Sequence, residues 1–194
     1  RPAALARDRG ATPRRGALYL GGAEDGRLTL RLLDAVAAVD PRLDLDIVLP
    51  SASARDRVAA RLADGPPTGQ VLDATSSLAP IFATADIAIG AAGVTAWDRC
   101  CLGLPSLAIV TAENQRGVAA HLRTTGAATV IERAEAEDPA KLSAALTALL
   151  TDGAARRNMA RAAADLCDGE GPRRTADAIS RAFAEPRRAG AGRC

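Results

Sequence analysis

Three turns in this sequence carry residue types that could do chemistry. The first is Gly21-Gly22-Ala23-Glu24-Asp25-Gly26, which follows a short apolar run and leads into a helical pattern. Glycines let the backbone turn tightly and approach a ligand, and free amides at a helix start attract phosphate. A Gly-Gly pair also serves as a plain strand-to-helix turn. The pattern is neither GxGxxG nor a Walker loop, because no Lys-Ser/Thr follows. Glu24 and Asp25 would repel phosphate if they pointed inward, so phosphate binding here would have to use the backbone. The second turn is Gly90-Ala91-Ala92-Gly93-Val94-Thr95-Ala96-Trp97-Asp98. A carboxylate at Asp98, one turn into the next helix, could accept two hydroxyl hydrogen bonds from a ribose. It could equally be an acid that stabilises a helix start. The third is Thr111-Ala112-Glu113-Asn114-Gln115, a run of polar side chains after an apolar strand. These residues could bond a polar ligand, or Asn114 could simply cap the helix that follows.

Other chemistries are poorly supplied. His121 is the one histidine, and its position inside a helical pattern suits a solvated surface residue. No Ser/His/Asp grouping emerges, so no catalytic residue is assigned. Cys100, Cys101, Cys167 and Cys194 contain no CxxC pair, and with one histidine they make a poor zinc set, so neither a metal nor a cofactor is expected. They read as small buried apolar side chains in a reducing compartment. The net charge is +2, the aromatic fraction is 2%, and neither favours nucleic acid. Lys141 is the only lysine among 25 basic residues, so arginine abundance here reflects composition and carries little weight as a surface signal. No run of about 18 apolar residues suggests a membrane span, and no basic-then-apolar start suggests a signal peptide. A cytoplasmic location is expected on that basis.

These turns need a scaffold, and the spacing of apolar runs supplies one. The chain has 194 residues, 48% of them hydrophobic, enough for one domain with a sizeable core. Short apolar runs at 17–20, 45–49, 70–74, 86–90, 105–110 and 128–131 alternate with helical patterns at 28–39, 54–63, 77–85, 95–102 and 115–124. Helical patterns alone follow, at 139–150, 154–167 and 173–184. Alternation of this kind predicts βαβ units and a doubly wound, Rossmann-like α/β domain with about six parallel strands and C-terminal helices. Residues 1–15 read as a linker, 16–185 as the domain, and 186–194 as a disordered tail. In an open parallel sheet ligands bind at the carboxyl ends of the strands, which is where the three turns fall.

The runs Ala85-Asp86-Ile87-Ala88-Ile89-Gly90-Ala91-Ala92-Gly93, Thr95-Ala96-Trp97-Asp98-Arg99-Cys100 and Leu102-Gly103-Leu104-Pro105-Ser106 resemble the nucleotide-binding half of GT-B-type proteins. More narrowly, they resemble the UDP-2,4-diacetamido-2,4,6-trideoxy-β-L-altropyranose hydrolases of pseudaminic acid biosynthesis. Glu113-Asn114-Gln115, the turn from Tyr19 to Ala23, and Asp168-Gly169-Glu170-Gly171-Pro172-Arg173-Arg174 fit the same family. A more distant similarity is to the N-acetylglucosaminyltransferase of lipid II synthesis.

The resemblance implies UDP or a UDP-linked amino sugar as ligand. It implies that Gly21, Gly22 and Ala23 hold the diphosphate through backbone amides and that Gly93, Val94 and Thr95 approach the phosphates. Thr75 and Ser76 would face the uracil, Asp98 the ribose, and Glu113, Asn114 and Gln115 the sugar or the β-phosphate. The sequence departs from the family where Asp98 replaces the usual Glu, shortening the reach by about 1.5 Å. It departs again at Ala23-Glu24-Asp25 and at Val94. In the family the catalytic histidine sits in an N-terminal α/β domain and activates water, with inversion and without a metal. This chain is expected to lack that domain and to bind without catalysing. The alternatives are the same half of a glycosyltransferase, with a sugar or lipid as acceptor, or a non-catalytic nucleotide-binding module.

Overall fold

The alternating runs fold into six parallel strands in the computed structural model, which describes residues 1–74 and 77–184. In chain order the elements are α1 (Pro2–Leu5), β1 (Arg15–Tyr19), α2 (Arg27–Val39), β2 (Asp44–Val48), α3 (Ala52–Ala63) and β3 (Thr68–Leu72). Then come α4 (Ala79–Thr84), β4 (Ile87–Ala91), α5 (Thr95–Cys101), β5 (Ser106–Val110), a 3-10 turn (Glu113–Gln115), α6 (Arg116–Thr125) and β6 (Thr129–Glu132). Four helices close the described chain: α7 (Arg133–Glu137), α8 (Pro139–Thr151), α9 (Gly153–Leu166) and α10 (Gly171–Ala184).

The strand order is β3-β2-β1-β4-β5-β6, every pair parallel. The order reverses between β1 and β4, where Tyr19 pairs with Gly90. This is the doubly wound sheet that the sequence predicts. Thr75, Ser76 and the expected tail at 186–194 lie outside the described residues.

Strand periodicity divides the core into two unlike faces. Leu18, Ile47, Ile87, Ile89, Leu107 and Ile109 point one way and pack against Leu28, Leu32 and Leu33 of α2 and Leu146 and Leu149 of α8. The residues between them, Ala17, Ala88 and Ala108, point the other way. There they meet Phe82 of α4, Cys100 of α5 and Ala119 and Leu122 of α6. Alternation of large and small side chains at period two therefore builds one thick and one thin layer on the same sheet. Gly90 continues the small-residue face at the carboxyl end of β4.

Residues 1–14 pack onto the domain through arginine, a contact that the patternless reading of this segment does not anticipate. Arg9 is buried and donates to the carbonyls of Ala85, Ala4 and Leu102. Arg156 of α9 donates to the carbonyls of Arg9, Gly10 and Ala11. Arg1 reaches the carbonyls of Cys101, Ala164 and Cys167. Asp86 pairs with Arg7 and accepts from the backbone N–H groups of Arg14 and Arg15. Burial pushes its pKa up, but these bonds more than offset that and hold it below the usual carboxylate value. The carboxylate is therefore charged at neutral pH, as a fixed partner for the incoming chain.

Candidate functional site

The first turn is shaped by Gly21, whose φ of 101° favours glycine. A side chain at Gly21 or Gly22 would meet nothing within 4 Å, so their backbone faces open space. The start of α2 is different. The Glu24 carboxylate accepts from the backbone N–H groups of Gly26, Leu28 and Thr29. These helix-start donors are already satisfied, so a phosphate at this turn has only the amides around Gly21, Gly22 and Ala23. Asp25 points away and pairs with Arg27.

The turn after β4 opens α5. Val94 is 82% exposed, so its side chain contributes nothing to the interior and only its backbone is positioned. Asp98 follows in the first turn of α5, and its carboxylate has no hydrogen-bond partner among the described residues. Burial raises its pKa above the ordinary carboxylate value, a shift that neighbouring Arg99 opposes. Asp98 lines a cavity of about 370 Å³ with Thr95, Tyr19, Val48, Pro50 and Ser77. The cavity lies at the carboxyl ends of β1, β2 and β4, on the reversal of strand order, the usual ligand crevice of such sheets.

The third turn contributes unevenly. Gln115 Oε1 accepts from the backbone N–H and the hydroxyl of Thr111. Since a backbone N–H must meet an oxygen, this fixes the amide with its NH2 toward Gly93, where a Cβ would lie 3.6 Å from Nε2. Gln115 thus presents a donor to the second turn. Asn114 is exposed and does not cap α6, which begins without a side-chain cap. Glu113 pairs with Arg116 and lines a separate cavity with Glu132 and Arg133. It is not brought to the cavity that Asp98 lines. His121 is exposed, with its ring 6.1 Å from that of Trp97, and it does not line the cavity that holds Asp98. Among the described residues, no group of three His, Cys, Asp or Glu is placed to hold a metal ion.

Sequence reasoning did not single out Tyr19, Val48, Pro50 or Ser77. Tyr19 and Val48 end β1 and β2, so listing the last residue of each strand would have found them. It also passed over Arg99, a polar residue inside an apolar stripe. Arg99 is 1% exposed, and its Nη2 donates to the Ala91 carbonyl at 2.8 Å. Burial lowers its pKa to about 10, an effect countered in part by Cys100 and Asp98.

Three comparisons place this architecture among known proteins. Residues 54–175 match the model of the glycosyltransferase family 28 C-terminal domain. The spore coat polysaccharide biosynthesis protein SpsG of Bacillus subtilis (strain 168) is 25% identical over 154 residues, which cover 78% of this chain and 45% of that protein. MurG of Acinetobacter baumannii superposes with a TM-score of 0.70 at 21% identity, over 92% of this chain and 52% of that one. The spinosyn rhamnosyltransferase SpnG, solved with thymidine diphosphate, superposes with a TM-score of 0.69 at 23% identity, over 95% and 48%. The chain thus spans about half the length of the proteins it matches.

Proposed function

Because the chain belongs to the glycosyltransferase family 28 C-terminal domain family, we propose that it is the nucleotide-sugar-binding half of a GT-B glycosyltransferase. Its ligand is UDP or a UDP-linked amino sugar. The transfer goes to a sugar or lipid acceptor held by an N-terminal α/β domain outside this chain.

One observation carries the reading: the cavity at the reversal of strand order, with the Asp98 carboxylate on its wall, unpartnered among the described residues. In this reading Asp98 accepts the ribose hydroxyls. The amides of Gly21, Gly22 and Ala23 and of Gly93, Val94 and Thr95 hold the diphosphate. Gln115, through its NH2 group, and Asn114 reach the β-phosphate or the sugar. Thr75 and Ser76 keep the uracil role that the family resemblance implies. The thymidine diphosphate in SpnG supports a pyrimidine nucleoside diphosphate as ligand.

Hydrolysis of a pseudaminic acid precursor is the narrower reading, and it rests on the local fit of Trp97-Asp98-Arg99-Cys100 and of Glu113-Asn114-Gln115. The family match and the likeness to the rhamnosyltransferase SpnG favour transfer over hydrolysis. The polysaccharide role in the name of SpsG supports surface polysaccharide synthesis under either reading. A nucleotide-binding chain without the acceptor half has neither the positioned base nor the second wall of a cleft, so the chain alone is expected to bind without turnover.

Calorimetric titration of the chain with UDP, and with ADP as control, tests the proposal. Saturable UDP binding at least about tenfold tighter than ADP, a difference of about 1.4 kcal/mol, is the expected result. Equal affinities, or no UDP binding at millimolar concentration, would overturn it.

A further inference from the structure

The cavity at the reversal of strand order poses an electrostatic problem for the ligand proposed above. Among its described lining residues the only charged side chain is Asp98, an acid. A diphosphate carries at least two negative charges, and backbone amides alone would have to meet them. Two arginines on the helices that follow β1 and β2 are already engaged: Arg27 pairs with Asp25, and Arg55 with Asp73.

Arg99 differs from all of these. It projects from α5 onto the small-residue face of the sheet, under the carboxyl ends of β1 and β4. A Cβ on Gly90 would lie 2.4 Å from its Nη1 and 2.8 Å from the Tyr19 carbonyl, so glycine at 90 is what leaves room for the guanidinium. Its Nη2 donates to Ala91, and its Nη1 lies 3.5 Å from the Thr95 hydroxyl. Its Nε is buried without a partner, and no carboxylate forms an ion pair with it among the described residues. Tyr19 and Thr95, which flank the guanidinium, both line the cavity.

A fully buried cation without a counter-ion is costly, and a core position on α5 would be filled more cheaply by an aliphatic side chain. A buried charge is also poorly screened, so it acts on an anion across several ångströms of low-dielectric protein.

We propose that Arg99 is the phosphate-charge reader of this site: its guanidinium lies beneath the floor of the cavity and favours a nucleoside diphosphate over the uncharged nucleoside. It touches the ligand at no point and acts through the field it sets up and through the Thr95 hydroxyl. The inference rests on the nucleotide-binding reading of the cavity.

The test is a ligand series of UDP, UMP and uridine against the 194-residue chain, read by ligand-observed NMR. The wild type is compared with Arg99→Met and Arg99→Lys. The expected result is that Arg99→Met weakens UDP about tenfold more than uridine, with UMP between them, and that Arg99→Lys restores most of the difference. A purely structural arginine would weaken all three ligands alike, and that outcome would overturn the proposal. Should Arg99→Met fail to fold, the wild type alone still decides. Raising salt from about 0.05 to about 0.5 M should leave the UDP-to-uridine affinity ratio within about threefold if the cation is buried. A collapse of the ratio would assign the preference to surface arginines instead. A wild-type chain that prefers UDP to ADP while Arg99→Met changes all ligands equally removes only Arg99. A wild-type chain that binds neither UDP nor uridine removes the nucleotide reading itself, and this proposal with it.

Discussion

Asp98 is a carboxylate with no hydrogen-bond partner among the described residues, on the wall of a cavity and at the start of a helix. Burial raises its pKa, so the folded chain keeps that proton to a higher pH than the unfolded chain does. Between the two values the folded state binds more protons, and stability falls as pH rises through the window. Ligand affinity runs the other way, because the ionised carboxylate is the better acceptor for ribose hydroxyls. UDP affinity is therefore expected to rise with pH through a midpoint above about 4, the ordinary carboxylate value, and then to level off. Asp98→Asn should lower the plateau about tenfold, since a hydrogen bond to a charged group contributes about 1.5–3 kcal/mol. It should also flatten the profile. Calorimetry from pH 4.5 to 8 on both proteins checks this, and the ligand's own phosphate titration cancels in the comparison. A wild-type profile parallel to that of Asp98→Asn would remove Asp98 from the ribose.

At the scale of elements, the first turn shows how one side chain reassigns a helix start. Glu24 satisfies three donors at the start of α2, so this turn binds an anion through its glycine amides or not at all. Glu24→Ala should destabilise the domain by about 1–2 kcal/mol, the usual cost of a lost helix cap, seen as a lower urea midpoint with an unchanged slope. An unchanged midpoint would mean that solvent replaces the carboxylate. The sequence hinted at this much: acids beside a Gly-Gly turn cannot face a phosphate, but where they go instead depends on the turn's φ angles.

All six strands were legible as short apolar runs between helical patterns. β3 was the weakest signal because it is an edge strand with three exposed residues at its start. α7 was missed because five residues give no helical period, although Glu132 and Glu135 form a reciprocal cap there. Glu113 shows the limit at the candidate site. A polar triplet reads the same whether its members face a ligand or, as here, an arginine one turn along the chain.

At the scale of the whole molecule, the chain is a sheet with the Asp98 cavity at the carboxyl ends of its strands and an arginine-clipped segment at the other end. The clips are bonds from side chains to backbone carbonyls over separations such as 76 and 147 residues, which leave no local pattern to read. A further cavity of about 290 Å³ lies between the N-terminal segment and α9, lined by Leu5, Gly103, Arg157 and Ala164. No helix among the described residues is long and apolar enough to cross a membrane. α10 leaves the large apolar side chains of Ile179 and Phe183 exposed.

The Asp98 cavity and the Leu5 cavity lie on different sets of residues, so the place where UDP binds can be read directly. Titrating UDP into the isotope-labelled chain and following backbone amide shifts asks where the nucleotide sits. Saturable shifts are expected at Gly21, Gly22 and Ala23, from Thr95 to Asp98 and at Gln115, with Leu5, Gly103 and Arg157 unmoved. Shifts centred on Leu5, Gly103 and Arg157, or none at saturating UDP, would contradict the proposed site.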